Sequence, residues 1–184
     1  MKSVLISIKP KYCELIGNRS KTIEVRKTRP KIETPFKCYI YCTHSGITAK
    51  ERDRNIYTDF SGKVIGEFVC DGMLGRCESA NADIAEQYGC IKREKLFEYA
   101  NEKKLFGWQI SDLKIYDEPK ELKEFYNYCT EKDKCSECLY YDMSYDNTYY
   151  DAPLDFEPCK TGGRKHLTRP PQSWCYVEGA TNNE

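Results

Sequence analysis

The sequence predicts an α+β fold: a small mixed β-barrel with short flanking helices and a cysteine-rich insertion before the last strand. Three observations support this prediction. Five to six short segments alternate apolar and polar residues, as β-strands do, and short helical patterns separate them. Residues 120–168 contain too few aliphatic side chains for a conventional core. A further strand-like segment follows them, so the insertion interrupts the barrel before its closing strand.

Each element has its own local signal. Pro10 suits the first position of a helix, and Gly17-Asn18 favours its end because both residues tolerate a left-handed backbone. A break in the alternation at Ser111-Asp112 predicts a β-bulge. The predicted strands are 3–8, 21–27, 36–43, 63–71, 107–116 and 173–178, and the predicted helices are 10–17, 80–88 and 92–104. The predicted units are a barrel over 1–119, an acidic, Cys- and Tyr-rich insertion over 120–168, the closing strand within 169–178 and a frayed tail over 179–184.

Composition is typical of a soluble globular protein and predicts neither a membrane-spanning helix nor a disordered chain. The 184 residues are 40% hydrophobic and 32% charged, and no apolar run approaches the roughly 20 residues of a membrane helix. The opening apolar run is too short for a signal-peptide core, which predicts a cytoplasmic location. The formal net charge is zero, but residues 1–37 hold ten Lys/Arg and three Glu, a net +7, and residues 117–157 hold twelve Asp/Glu and four Lys, a net −8. The basic block predicts an anionic partner, and solvated surface charge is the alternative.

Eleven cysteines predict reduced core thiols together with a metal site. Five of them lie in apolar patterns and are expected to be small buried hydrophobes: Cys13, Cys38, Cys42, Cys70 and Cys175. A CxxC pair with two outlying thiols fits a tetrahedral structural zinc site, and metal ligation would stabilise a segment that lacks a core. The predicted zinc ligands are Cys129, Cys135, Cys138 and Cys159, with His166 or Cys175 as alternative fourth ligands. Free thiols or an occasional disulfide are the other interpretation.

The segment 21–27 carries the strongest signal of a functional site. Alternation places Thr22, Glu24 and Arg26 on one face of a half-buried strand, with Ile23 and Val25 on the other. An acid and an arginine two residues apart on one face can pair with each other or jointly contact a ligand. A structural Glu–Arg pair is the alternative to a binding or catalytic site.

Four sequence blocks carry a resemblance to a known family. The first runs from Ile6 to Arg26, as strand, proline, helix, glycine and then KTIEVR, and the others are GKVIGEFVCD (62–71), GWQISDLKIYDEPKEL (107–122) and RPPQSWCYVE (169–178). Together they resemble the ASCH domain of the PUA-like superfamily, in the small stand-alone type found in bacteria and phages. The resemblance implies a barrel with a cleft at the junction of the first helix and the following strand.

The resemblance also implies an RNA or nucleoside ligand. The predicted nucleic-acid-binding residues are Lys9, Lys11, Lys21, Thr22, Glu24, Arg26, Lys27 and Trp108. The alternative function is hydrolysis in the same cleft, as a ribonuclease or an N4-acetylcytidine-type amidohydrolase, with Lys21 and Glu24 as the catalytic residues. One ASCH branch hydrolyses N4-acetylcytidine with a Thr three residues after its Lys, and Glu24 occupies that position here. A third possibility is a protein-interaction module that acts through the acidic insertion.

Overall fold

The computed structural model describes residues 2–44, 60–128 and 165–178. These residues form nine strands, three α-helices and one 3-10 helix. The strands are β1 (Lys2–Ile8), β2 (Ile23–Arg26), β3 (Phe36–Cys42), β4 (Lys63–Cys70), β5 (Met73–Gly75), β6 (Phe106–Gln109), β7 (Ser111–Glu121), β8 (Tyr126–Asn127) and β9 (Trp174–Glu178). The α-helices are α1 (Pro10–Gly17), α2 (Ala82–Gly89) and α3 (Arg93–Ala100), and the 3-10 helix is Leu122–Glu124.

The larger sheet has six strands in the order β7-β4-β3-β1-β9-β8. Strand β1 pairs in parallel with β3 on one side and antiparallel with β9 on the other. The crossover between β1 and β3 contains α1 and β2, and a parallel pair requires a connection of this length. The strand predicted over 173–178 is present as β9, and it lies between β1 and the edge strand β8.

The smaller sheet has three strands in the order β2-β6-β5. The segment 107–116, predicted as one strand, divides at Ile110: β6 pairs with β2 in the small sheet, and β7 pairs with β4 in the large one. The predicted bulge is confirmed, because the β4–β7 register shifts beside Ser111 and Asp112 has a φ of 45°.

The predicted single barrel needs correction. The described strands form two separate sheets rather than one closed barrel, because β6 and β7 belong to different sheets. The main core fills the space between the sheets and beneath α1. It includes Val4, Ile6, Cys38, Ile40, Phe68 and Trp108. A second cluster covers the opposite face of the large sheet around Tyr39 and Phe125, and a third lies between β2 and the helices α2 and α3.

The two described ends of the predicted insertion pack on the large sheet. Strand β7 continues to Glu121, and the following 3-10 helix places Leu122 and Phe125 against that sheet. Leu167 packs on the same cluster, and His166 forms an isolated bridge to Tyr126. Residues 120–128 and 165–168 therefore contribute to the packing of the main body.

Four of the five predicted core cysteines are buried. Cys13, Cys38, Cys42 and Cys70 are buried free thiols, and Cys175 is a half-buried one. Burial raises the pKa of Cys38 well above its ordinary value and that of Cys70 to about 12. A hydrogen bond from Cys13 instead lowers the pKa of Cys42. These thiols fill apolar space as small hydrophobes.

Strands β4 and β7 approach each other closely at Gly66. A β-carbon there would lie 2.5 Å from the carbonyl oxygen of Lys114, which belongs to the backbone and cannot rotate away. We expect Gly66→Ala to lower the free energy of unfolding by about 1–3 kcal/mol, as overpacking does. Gly75→Ala is the matched control, because a β-carbon at Gly75 would meet no described atom within 4 Å. Urea unfolding of both variants measures the difference, and equal stabilities would contradict the expectation.

Within the described ranges, no helix is long and apolar enough to cross a membrane.

Candidate functional site

Strand β2 is buried on both faces, whereas the sequence predicted a half-buried strand. Ile23 and Val25 pack against the helices α2 and α3 in the third cluster. Glu24 and Arg26 point to the opposite side, where β1 and α1 cover them. The two sheets and the helical layer therefore enclose a strand whose polar face would otherwise contact solvent.

A buried triad of charges lies on this polar face. Glu24 contacts two cations: Lys21 Nζ lies 3.2 Å from Oε2, and Arg26 Nη2 lies 2.9 Å from Oε1. Lys21 is 3% exposed, Glu24 6% and Arg26 9%. One carboxylate between two cations leaves a net positive charge in the site, which favours an anionic or electron-rich ligand.

The backbone around the triad holds its two cations in place. Lys21 Nζ donates to the carbonyl oxygen of Ile23 at 2.7 Å and to that of Gly89 at 2.6 Å, which links β2 to the end of α2. Arg26 Nη2 also donates to the carbonyl oxygen of Ser7 at 2.5 Å, which links β2 to β1. The triad therefore connects β2 to both β1 and α2.

Two polar atoms of the triad keep hydrogen-bonding capacity. Glu24 Oε2 and Arg26 Nε have no hydrogen-bond partner among the described residues. Oε2 does lie within ion-pair distance of Lys21, but the geometry there is not that of a hydrogen bond. Buried polar atoms are nearly always satisfied, so a buried acceptor and a buried donor side by side indicate a place for a ligand or ordered water.

The triad forms the floor of a cleft of about 670 Å³, within the usual size range of small-molecule sites. Tyr12 of α1 and Tyr99 of α3 line it from different elements. Burial raises the pKa of Tyr12, and the Glu24 carboxylate adds to the rise. Burial also raises the pKa of Tyr99, where Arg26 lowers it and Glu24 raises it. Both phenols are therefore neutral near pH 7 and offer aromatic surface beside the carboxylate.

Three lysines add positive charge to the lining of the cleft: Lys9, Lys27 and Lys95. Lys27 Nζ lies 5.0 Å from the centre of the Tyr99 ring, and Lys21 Nζ lies 5.1 Å from that of Tyr12. Lys95 pairs with Glu98 at 2.6 Å, an exposed contact that contributes little to stability. Lys9 and Lys27 form no ion pair with any described carboxylate, so their positive charges are not neutralised by a salt bridge. We call these two lysines the rim of the cleft.

Solved structures with the same architecture identify the fold. The crystal structure of ASCH from Zymomonas mobilis superposes with a TM-score of 0.56 at 14% sequence identity, over 96% of this chain and 87% of that chain. A Tyr-to-Phe mutant of the Zymomonas mobilis protein gives 0.54 at 14% identity, over 98% and 93% of the two chains, and a Ser-to-Ala mutant gives 0.53 at 14% identity, over 97% and 89%. The chain has the ASCH fold. No family model and no curated protein matches its sequence.

The ASCH fold brings together five of the predicted binding residues. Lys9, Lys21, Glu24, Arg26 and Lys27 all line the cleft. The other three predicted residues do not line it. Lys11 is exposed on α1, and Thr22 is half-buried with its backbone N–H donating to the carbonyl oxygen of Tyr88. Trp108 lies fully buried in the core, with its ring centroid 5.9 Å from those of Phe36 and of Trp174.

The aromatic side chains of the cleft were not predicted from the sequence. The helical pattern places Tyr12 on the inner stripe of α1, where it indicates packing rather than binding, and nothing distinguishes Tyr99 on its helix. Ser7 and Gln172 also line the cleft without having been predicted. The position of Tyr12, within the block that carries the KTIEVR motif, was the available signal. Tyr99 had none, because its approach to β2 depends on how α3 packs.

The predicted zinc ligands Cys129, Cys135, Cys138 and Cys159 lie outside the described residues, so the zinc site stays a prediction. Within the described ranges, no group of three His, Cys, Asp or Glu side chains could hold a metal ion. Both alternative fourth ligands are described. Cys175 packs against the second core cluster, and the His166 ring lies against that of Tyr126 with Nδ1 at the carbonyl oxygen of Lys123.

Proposed function

We propose that the cleft binds RNA by receiving one of its nucleosides, which contacts the Lys21–Glu24–Arg26 triad. The observation that supports this most directly is that two buried atoms of the triad, Glu24 Oε2 and Arg26 Nε, have no hydrogen-bond partner among the described residues. An inserted base edge offers an amino donor for the carboxylate and a ring nitrogen or carbonyl acceptor for the guanidinium. Binding would satisfy both atoms at once, which makes their burial favourable in the complex.

The walls and rim of the cleft suit the same ligand. Tyr12 and Tyr99 provide neutral aromatic surface for a base, and base–aromatic stacking contributes about 1–3 kcal/mol per base. Lys9 and Lys27 provide cations at the mouth, where the sugar and phosphate of an inserted nucleotide would lie. A free modified nucleoside fits the floor and walls equally well, and it would make less use of the rim.

Hydrolysis in the same cleft is the alternative function. It requires a nucleophile or an activated water beside Glu24. The Ser7 hydroxyl lines the cleft but donates to the carbonyl oxygen of Pro171 at 2.6 Å, and the Glu24 carboxylate is held by two cations. These contacts favour binding over hydrolysis. The third possibility, protein interaction through the acidic insertion, concerns mainly residues outside those described.

The aromatic walls provide the test. Tyr12→Ala and Tyr99→Ala are each expected to weaken binding of a fluorescein-labelled, mixed-sequence RNA of about ten nucleotides by about 10- to 100-fold, because each removes a stacking surface. Fluorescence anisotropy at constant salt measures the affinity. Tyr88→Ala is the matched control, since Tyr88 is exposed on α2 and does not line the cleft.

Wild-type affinity for RNA in both cleft variants would contradict the proposed function. Wild-type protein and Glu24→Gln, each incubated with the labelled RNA and with N4-acetylcytidine and then separated by chromatography, test hydrolysis. Turnover that depends on Glu24 would replace the binding proposal with the enzymatic one.

A further inference from the structure

A basic loop leads away from the cleft after β2. Lys27, Arg29 and Lys31 alternate along it, and Lys27 at its start lines the cleft. Arg29 and Lys31 are exposed. Fully extended, residues 27–31 span at most about 14 Å, a length over which successive phosphates of a single strand fit.

Side chains of β9 and β6 hold this loop in position. Trp174 Nε1 donates to Thr28 Oγ1 at 2.9 Å, and the Lys31 backbone N–H donates to the Tyr176 hydroxyl at 2.6 Å. The Arg29 guanidinium lies 5.7 Å from the centre of the Phe106 ring. These contacts anchor the loop at Thr28, Arg29 and the Lys31 backbone before any ligand arrives, which lowers the entropic cost of binding.

The three cations of the loop are not neutralised by nearby carboxylates. Across residues 2–44, 60–128 and 165–178, none of them forms an ion pair, whereas Lys63, Arg93 and Lys95 each pair with a carboxylate. A row of unpaired cations on an ordered backbone attracts a polyanion and releases its counterions. A free nucleoside carries no phosphate and would form no ionic contact with this row of cations.

We propose that the phosphodiester chain next to the bound nucleoside runs along residues 27–31 toward β9, so that the ligand is a single-stranded RNA segment rather than a free nucleoside. The inference rests on the proposed function, since the cleft must first receive the nucleoside. The two surfaces differ in chemistry and therefore contact different parts of the RNA. The triad and the two tyrosines contact the base, and the loop contacts the phosphates without distinguishing one base sequence from another.

The double variant Arg29→Gln/Lys31→Gln tests the phosphate path. Lys27 is left in place because it also lines the cleft. We expect the affinity for the labelled mixed-sequence RNA of about ten nucleotides to fall about tenfold, and the slope of log affinity against log salt to decrease by about 1.4 for two lost contacts. Binding of an unlabelled mixture of the four ribonucleosides, followed by NMR line broadening, should match the wild type.

Two further variants sharpen the test. Lys103→Gln/Lys104→Gln removes the same charge from an exposed turn that does not line the cleft, and it should leave the salt slope unchanged. Tyr176→Phe removes the hydroxyl that holds the Lys31 N–H and should lower RNA affinity about threefold, because the loop keeps its charge and loses its fixed position.

The outcomes separate this inference from the proposed function. Wild-type RNA affinity and salt slope in Arg29→Gln/Lys31→Gln, together with weakened binding in Tyr12→Ala, would overturn the phosphate path and leave the cleft proposal standing. Wild-type RNA binding in both variants would overturn both.

Discussion

Glu24→Gln is expected to lower the free energy of unfolding by about 3–5 kcal/mol, because it leaves two buried cations without their anion. Lys21 and Arg26 pair with the Glu24 carboxylate at 3.2 and 2.9 Å. All three side chains are largely buried, so solvent screens the two unpaired cations only weakly. The amide is almost isosteric with the carboxylate, and the loss therefore reports on charge rather than on packing.

The same substitution should also prevent RNA binding. An amide offers one acceptor oxygen in place of two, and the NH₂ group would face the amino group of a bound base as a second donor. Without the carboxylate, the Ser7 carbonyl oxygen is the one described partner that still holds Arg26 Nη2. Binding measurements therefore belong at a temperature at which circular dichroism shows the variant to be folded.

Glu98→Gln is the matched control for this prediction. Glu98 lines the same cleft, but its exposed pairing with Lys95 should contribute less than about 1 kcal/mol. The double variant Glu24→Gln/Arg26→Gln should lose less stability than the sum of the two single changes, since the partners are removed together. Additive losses, or a Glu24→Gln variant as stable as Glu98→Gln, would show that the triad is not a coupled buried network.

The burial of β2 shows the limit of a local sequence pattern. The alternation of Glu24 and Arg26 with Ile23 and Val25 predicted the correct faces, whereas Thr22 precedes β2 and does not line the cleft. A polar face normally indicates solvent. In the structure β1 and α1 cover that face, and the apolar face is covered by α2 and α3. Local patterns report the polarity of a face; they do not report whether a distant element packs on it.

The two sheets show a related limit. Alternation over 107–116 indicated strand structure and a bulge, and both are present. The division at Ile110 between β6 and β7 was not predictable, because it depends on which strands each half pairs with. Strand pairing is a non-local property, so the predicted elements agree with the structure better than the predicted single barrel does.

Trp108 was predicted to contact nucleic acid, but the structure buries it in the core, where its truncation should strongly lower stability. Its backbone pairs with Glu24 across β2 and β6, so its ring lies on the same face as the triad, beneath the cleft. The ring is fully buried and packs edge-on against Phe36 and Trp174. Trp108→Ala is expected to lower the free energy of unfolding by about 3–5 kcal/mol, as truncation of a large core aromatic does.

Trp108→Leu separates this core role from the predicted contact with nucleic acid. Leucine keeps much of the buried volume and removes the aromatic ring, so a residue that stacked on a base would lose binding as Tyr12→Ala does. Because Trp108 has no exposed surface, we expect folded Trp108→Leu to bind the labelled RNA with an affinity within about twofold of that of the wild type. The variant should also unfold at a lower urea concentration than the wild type. A loss of affinity as large as that of Tyr12→Ala, measured on fully folded protein, would place Trp108 in the binding site and contradict the closed core that the structure shows around it.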